Sequence, residues 1–179
     1  MIYTSETIEK DAVFKVATLM AAAARTAPKA KGVDNILTMI VDGAEKDAIA
    51  AEQRRLGDGG KSSGLAAFTR DAGSVDSSDY VVLLAVRDNP VGLPVCSACG
   101  FESCTACAAA GAACAFNISD LGTAACSACA VASHHWIDNR LMFTAGLAAK
   151  NIGLFGAEIR MCYGIPLSAK GKNIYYDRK

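Results

Sequence analysis

Seven of the eight cysteines in this chain of 179 residues lie between Cys96 and Cys129. A fold stapled throughout by disulfides would spread its cysteines more evenly, so the clustering points to metal or redox chemistry. The rest of the sequence is ordinary core-forming material. Hydrophobic residues make up 52% and charged residues 20%, which excludes intrinsic disorder. The length predicts one domain over residues 1–179. Eighteen basic side chains balance eighteen acidic ones, so no general electrostatic grip on nucleic acid or an anionic membrane is implied. No run of about 18 uncharged apolar residues occurs, so no transmembrane helix is expected. The apolar stretch from Val16 onward follows Glu6, Glu9 and Asp11, unlike the basic start of a secretory leader. These features predict a cytoplasmic protein with reduced thiols available as ligands.

The apolar spacing gives a coarse outline. Ile8, Ala12, Val16, Leu19, Met20 and Ala23 recur every three or four residues and predict a helix over 6–25, ended by Pro28. A short apolar run predicts a strand over 35–41, followed by an amphipathic helix over 44–56 and a Gly/Ser-rich loop over 57–64. A short helix over 66–72 and a strand over 80–86 come next. Asp120 is expected to cap a long helix that runs through Trp136, Leu141, Phe143 and Leu147 to residue 152. A third strand is predicted over 159–165. The order is α+β, with helices around a small sheet.

The cysteine string is Cys96-Ser97-Ala98-Cys99-Gly100-Phe101-Glu102-Ser103-Cys104, then Cys107 and Cys114. Two residues between cysteines turn the chain so that both thiolates can meet one centre, and Gly100 permits the tight backbone this needs. Four thiolates suit an iron–sulfur cluster or a structural zinc ion. Structural zinc usually takes two such pairs set farther apart. The compact C-x2-C-x4-C spacing suits a cluster better, although Cys99, Cys104 and Cys107 also match a 2Fe–2S spacing. Cys126, Cys129 and Cys162 read as small buried residues. A second metal site from Cys107, Cys126, Cys129 and His134 is a weaker alternative.

CSACGFESC (96–104) resembles the core of a small 4Fe–4S domain, found in one subunit of Rnf-type electron-transport complexes and in corrinoid iron–sulfur proteins. ARTAPKAKGVD (24–34), CAFNISDLG (114–122), DNRLMFTAG (138–146) and GIPLSAKGKNIYYDR (164–178) extend a resemblance to the prokaryotic family described as uncharacterised proteins containing a ferredoxin domain. That resemblance implies Cys96, Cys99, Cys104 and Cys114 as cluster ligands, with Cys107 as substitute, in a ferredoxin-like segment over 94–116. It implies an electron-transfer role with an unidentified redox partner protein.

The layout is also similar to flavin-dependent nitroreductases, with Ala27-Pro28-Lys29-Ala30-Lys31-Gly32 in the place of their Ala-Pro-Ser motif. This implies a small, mainly antiparallel sheet surrounded by helices, a homodimer, and FMN as an alternative cofactor. Arg25, Lys29, Lys31 and Arg178 are then the candidates for flavin phosphate, since basic groups near a helix end can hold one. The nitroreductase Arg-Arg-Ser-x-Arg motif is missing. A colourless structural zinc protein is the remaining alternative.

Overall fold

The computed structural model describes residues 1–58 and 65–176. In chain order the elements are α1 (Ser5–Thr26), a 3-10 turn (Ala30–Gly32), β1 (Ile36–Val41), α2 (Gly43–Asp58), α3 (Ala66–Asp76), β2 (Tyr80–Arg87), α4 (Cys104–Ala109), α5 (Ala115–His134), β3 (Asp138–Asn139), α6 (Phe143–Asn151) and β4 (Ile159–Ser168). The strands form one antiparallel sheet in the order β1-β2-β4-β3. No helix among the described residues is long and apolar enough to cross a membrane.

The sheet is organised around β2. Val81 to Val86 are all fully buried, and side chains alternate between the two faces of a strand. Val82, Leu84 and Val86 join Val16 and Met20 of α1 and Leu121 and Ala125 of α5 in one core. Val81, Leu83 and Ala85 join Ile49 of α2, Val75 of α3 and Ala145 and Ala148 of α6 in the other. Both edges of β2 are paired, with Ile36 opposite Val86 on β1 and Gly164 opposite Leu83 on β4. The expected α+β class, the early elements and the antiparallel sheet are therefore present.

The expected long helix is not. Cys114, not Asp120, stands at the N-cap, and the helix ends at His134. The end is a Schellman turn: Ile137 N–H reaches Ala132 O at 3.0 Å and Trp136 N–H reaches Ser133 O at 3.2 Å. Trp136 takes the left-handed position, at φ 55°, where glycine is usual. With no glycine in that position, periodicity carried the reading across the break. Trp136, Leu141 and Phe143, expected in the core, are exposed. Asp120 instead accepts the Ala30 N–H with both carboxylate oxygens, at 3.0 and 3.1 Å, and so caps the 3-10 turn. The last strand extends to Ser168, three residues beyond its expected end.

Residues 138–176 are tied down by polar contacts. Arg140 donates to Tyr175 O at 3.2 Å, and Asn173 donates to Asp138 at 2.8 Å. Tyr175 is buried with its hydroxyl 2.8 Å from Ser78 Oγ.

α6 lies directly on β4 at Gly146. A Cβ there would sit 1.9 Å from Cys162 O, a clash with backbone that no rotamer relieves. Gly122 in α5 is the opposite case, since an added Cβ meets nothing within 4 Å. Gly146→Ala is therefore expected to lower unfolding stability by about 2 kcal/mol or more. Gly122→Ala should raise it by roughly 0.5–1 kcal/mol, the helix cost of glycine. Urea denaturation of the two variants checks both signs.

Candidate metal centre

The loop that leaves β2 carries Cys96 and Cys99, α4 carries Cys104 and Cys107, and Cys114 begins α5. These five cysteines line one cleft, together with Pro90, Leu93, Phe101 and Glu102. None of the eight cysteines forms a disulfide. No lysine, arginine or histidine is among the described lining residues, and the sequence has no lysine or arginine between Arg87 and Arg140.

The local backbone fits sulfur. Ser97 and Gly100 are both left-handed, at φ 54° and 84°, and Gly100 N–H bonds Ser97 O at 2.9 Å. The turn aims Ala98 N–H at Cys96 Sγ, 3.4 Å away. The Phe101 backbone beside Cys99 holds that thiol's pKa below the usual value against partial desolvation, with the neighbouring Cys107 thiol lowering it further. Burial pushes Cys107 the other way, reinforced by Cys99. Ser103 caps α4 through its hydroxyl, which accepts Ala106 N–H at 3.1 Å. Cys114 sits at the N-terminus of a 20-residue helix, where negative charge is favoured. Among the described residues no three His, Cys, Asp or Glu side chains are set around one ion position.

An asparagine network, with Asn35 and Asn117 buried and Asn89 at the surface, holds both ends of this segment. Asn117, one turn into α5 from Cys114, donates to Asn89 O at 2.7 Å and Arg87 O at 3.3 Å. Asn35, just before β1, donates to Asn89 O at 3.1 Å and Asn117 Oδ1 at 3.3 Å, and Asn89 donates back to Asn35 at 3.2 Å. The exit of β2 and the start of α5 are thereby clamped together. Sequence reasoning missed this network, because lone asparagines far apart in the chain carry no local pattern.

The basic candidates serve the chain itself. Arg25 pairs with Asp34 and donates to Ile36 O at 2.8 Å. Lys29 is buried at its tip and donates to Ala24 O, Arg25 O and Ala27 O at 3.2, 2.6 and 2.9 Å, closing the end of α1. Lys31 donates to Gly92 O at 3.3 Å, bracing the start of the cysteine loop. Each is thus engaged by acceptors of its own chain, an arrangement that fits a brace better than a flavin phosphate cradle. Arg178 lies outside the described residues, as do 59–64 of the predicted loop.

Of the other cysteines, Cys162 is buried as expected, and burial pushes its pKa up to about 12. Burial pushes Cys129 up to about 11, with Cys126 adding to it. Cys126 is exposed, contrary to the expectation of a buried residue. His134 is exposed and its ring faces Ala130 O at 3.3 Å.

Comparison with known proteins agrees with this layout. Over 187 aligned positions the chain is 41% identical to an uncharacterized protein of Archaeoglobus fulgidus, covering 99% of this chain and 98% of that one. The model of a family described as uncharacterized proteins containing a ferredoxin domain matches residues 110–178. The chain belongs to this family. The match includes Cys114 and begins after the other four cleft cysteines. The fold is that of nitroreductases. A nitroreductase of Desulfitobacterium hafniense with bound FMN superposes with a TM-score of 0.61 at 14% identity, covering 96% of this chain and 81% of that one. A nitroreductase family protein of Clostridium novyi gives 0.58 at 13% identity, covering 99% and 79%. The FMN-dependent nitroreductase of Mycobacterium smegmatis gives 0.58 at 12%, covering 88% and 78%.

Exposure and pKa set thiol reactivity. In reduced, metal-free protein at pH 8, Cys96 should be alkylated well before Cys162, whose thiol is 2% exposed as a residue. Peptide mass spectrometry of a timed iodoacetamide reaction reads the order directly.

Proposed function

We propose that this protein binds an iron–sulfur cluster of the 4Fe–4S type and acts in electron transfer, with Cys96, Cys99, Cys104 and Cys114 as the thiolates that hold it. The observation that carries this reading is the cleft of five thiols with no cationic side chain among its described lining residues. Thiolates gathered in one place repel one another. A catalytic cysteine is relieved and activated by a neighbouring lysine, arginine or histidine. This cleft leaves that positive charge to bound metal. The compact cysteine spacing and the family's ferredoxin description favour iron–sulfur over zinc.

A bound cluster supplies one-electron transfer. The chain's own contribution is to hold the sulfurs and tune them. Ala98 N–H donates to Cys96 and the Phe101 backbone lies beside Cys99, and backbone N–H groups directed at sulfur help set a cluster's potential. Pro90, Leu93 and Phe101 supply apolar wall. An FMN-dependent role draws support from the fold shared with FMN-bearing nitroreductases; of its phosphate candidates, Arg25, Lys29 and Lys31 also bond within the chain, and Arg178 lies outside the described residues.

Anaerobic purification followed by iron, sulfide, zinc and flavin analysis tests this reading. About four irons and four sulfides per chain are expected, with broad absorbance near roughly 400 nm. Cys99→Ser should abolish the colour, and Cys162→Ser should leave it unchanged. Stoichiometric zinc without sulfide, or a flavin spectrum without iron, would overturn the proposal. The same preparation is expected to run as a homodimer in light scattering.

A further inference from the structure

The cleft contains five thiols, one more than a four-thiolate cluster takes. We infer that Cys107 is the thiol left out, and that it is a positioning residue that fixes the segment carrying Cys114. The inference rests on the proposed cluster site and names the role of one residue within it.

Cys107 and Cys114 are both buried, and the Cys107 sulfur lies near Cys99, Cys104 and Cys114, but of the two only Cys107 also has a backbone acceptor for its thiol. The Cys107 thiol donates to Ala112 O at 3.4 Å, while Cys107 O accepts Ala112 N–H at 3.0 Å. Gly111, left-handed at φ 62°, completes the turn through its N–H to Ala108 O at 2.9 Å. This is a Schellman close to α4, with the thiol added as a further tie between Cys107 and Ala112. Two residues later the chain reaches Cys114. There the sulfur makes no capping hydrogen bond, and the helix end behind it favours an anion. Turning Cys107 into the cluster would break its bond to Ala112 and loosen the turn that delivers Cys114. Leaving it in place keeps both the turn and the fourth thiolate. Cys104, three residues earlier on the same short helix, has no side-chain bond of this kind to lose among those described.

The experiment compares wild type with Cys107→Ala, Cys107→Ser and Cys114→Ser, all anaerobically purified as the full chain. Iron and sulfide content, the EPR spectrum of the dithionite-reduced protein, and the rate of iron loss to a chelator are measured. Serine retains a donor for Ala112 O, so Cys107→Ser should keep wild-type iron content and g-values. Cys107→Ala should keep the iron when fresh but shift the EPR signal and lose iron at least about tenfold faster, the scale on which outer partners of a metal site act. Cys114→Ser should lose the cubane.

Loss of the cubane in both Cys107 variants with retention in Cys114→Ser would make Cys107 the ligand and overturn the inference. A Cys107→Ala protein with wild-type EPR and iron loss would remove the positioning role. A second readout needs no cluster. In reduced, metal-free protein, iodoacetamide should alkylate Cys114 several-fold faster in Cys107→Ala than in wild type or Cys107→Ser, and equal rates would overturn the positioning role. Wild type without iron and sulfide would sink the cluster proposal, while the alkylation rates still decide whether Cys107 positions Cys114.

Discussion

Burial of β2 on both faces and both edges is the constraint on which the rest depends. Its six inner residues have no exposed surface, so none of them can carry polar chemistry without a large desolvation cost. Helices occupy both faces and neighbouring strands occupy both edges. Function is thereby displaced to the end of the strand, where the chain leaves the sheet at Arg87 and the cysteine loop begins. The nitroreductase-type core thus acts as an anchor for the cysteine-bearing segment attached to it.

The attachment is specific. Asn117 binds the carbonyls of Arg87 and Asn89, and Asn35 joins them from the neighbouring strand. The loop therefore starts and finishes at fixed points, and the cysteines between them span a limited volume. Lys31 adds a brace at Gly92. Asp120 holds the Ala30 turn from which that lysine extends. Polar residues singled out in a linear reading also tie this part of the fold together. A partly buried polar network of this kind is effective only when its members are satisfied.

Much of this was legible in the chain. The run YVVLLAV specified a central strand, and the α1 spacing specified a helix but not its inner face, which is Val13, Val16, Ala17, Met20 and Ala24 while Ile8, Ala12 and Leu19 are exposed. The cysteine string marked residues that the fold gathers together. All five cysteines singled out there line the same cleft. Less legible was anything that depended on contacts distant in sequence. Trp136 in a left-handed cap hid the break between α5 and α6, because the usual glycine signal was absent. Asp120 reads as a cap from composition alone, and it is one, but for a turn 90 residues away. Arg25 and Lys29 look like free cations until Asp34 and the carbonyls at the end of α1 are brought beside them. The Asp120 and Arg25 contacts share one origin, a partner farther along the sequence, whereas the Lys29 and Trp136 bonds are local.

The absence of lysine and arginine from Arg87 to Arg140 also bears on how the cleft meets other molecules. The formal net charge of the whole chain is zero, but residues 88–139 carry Asp88, Glu102, Asp120 and Asp138 with no lysine or arginine, so the balance is not local. Glu102 is the one formal charge among the described cleft-lining residues. A molecule that approaches this part of the chain meets negative charge with no positive charge from the same stretch, an influence that salt screens.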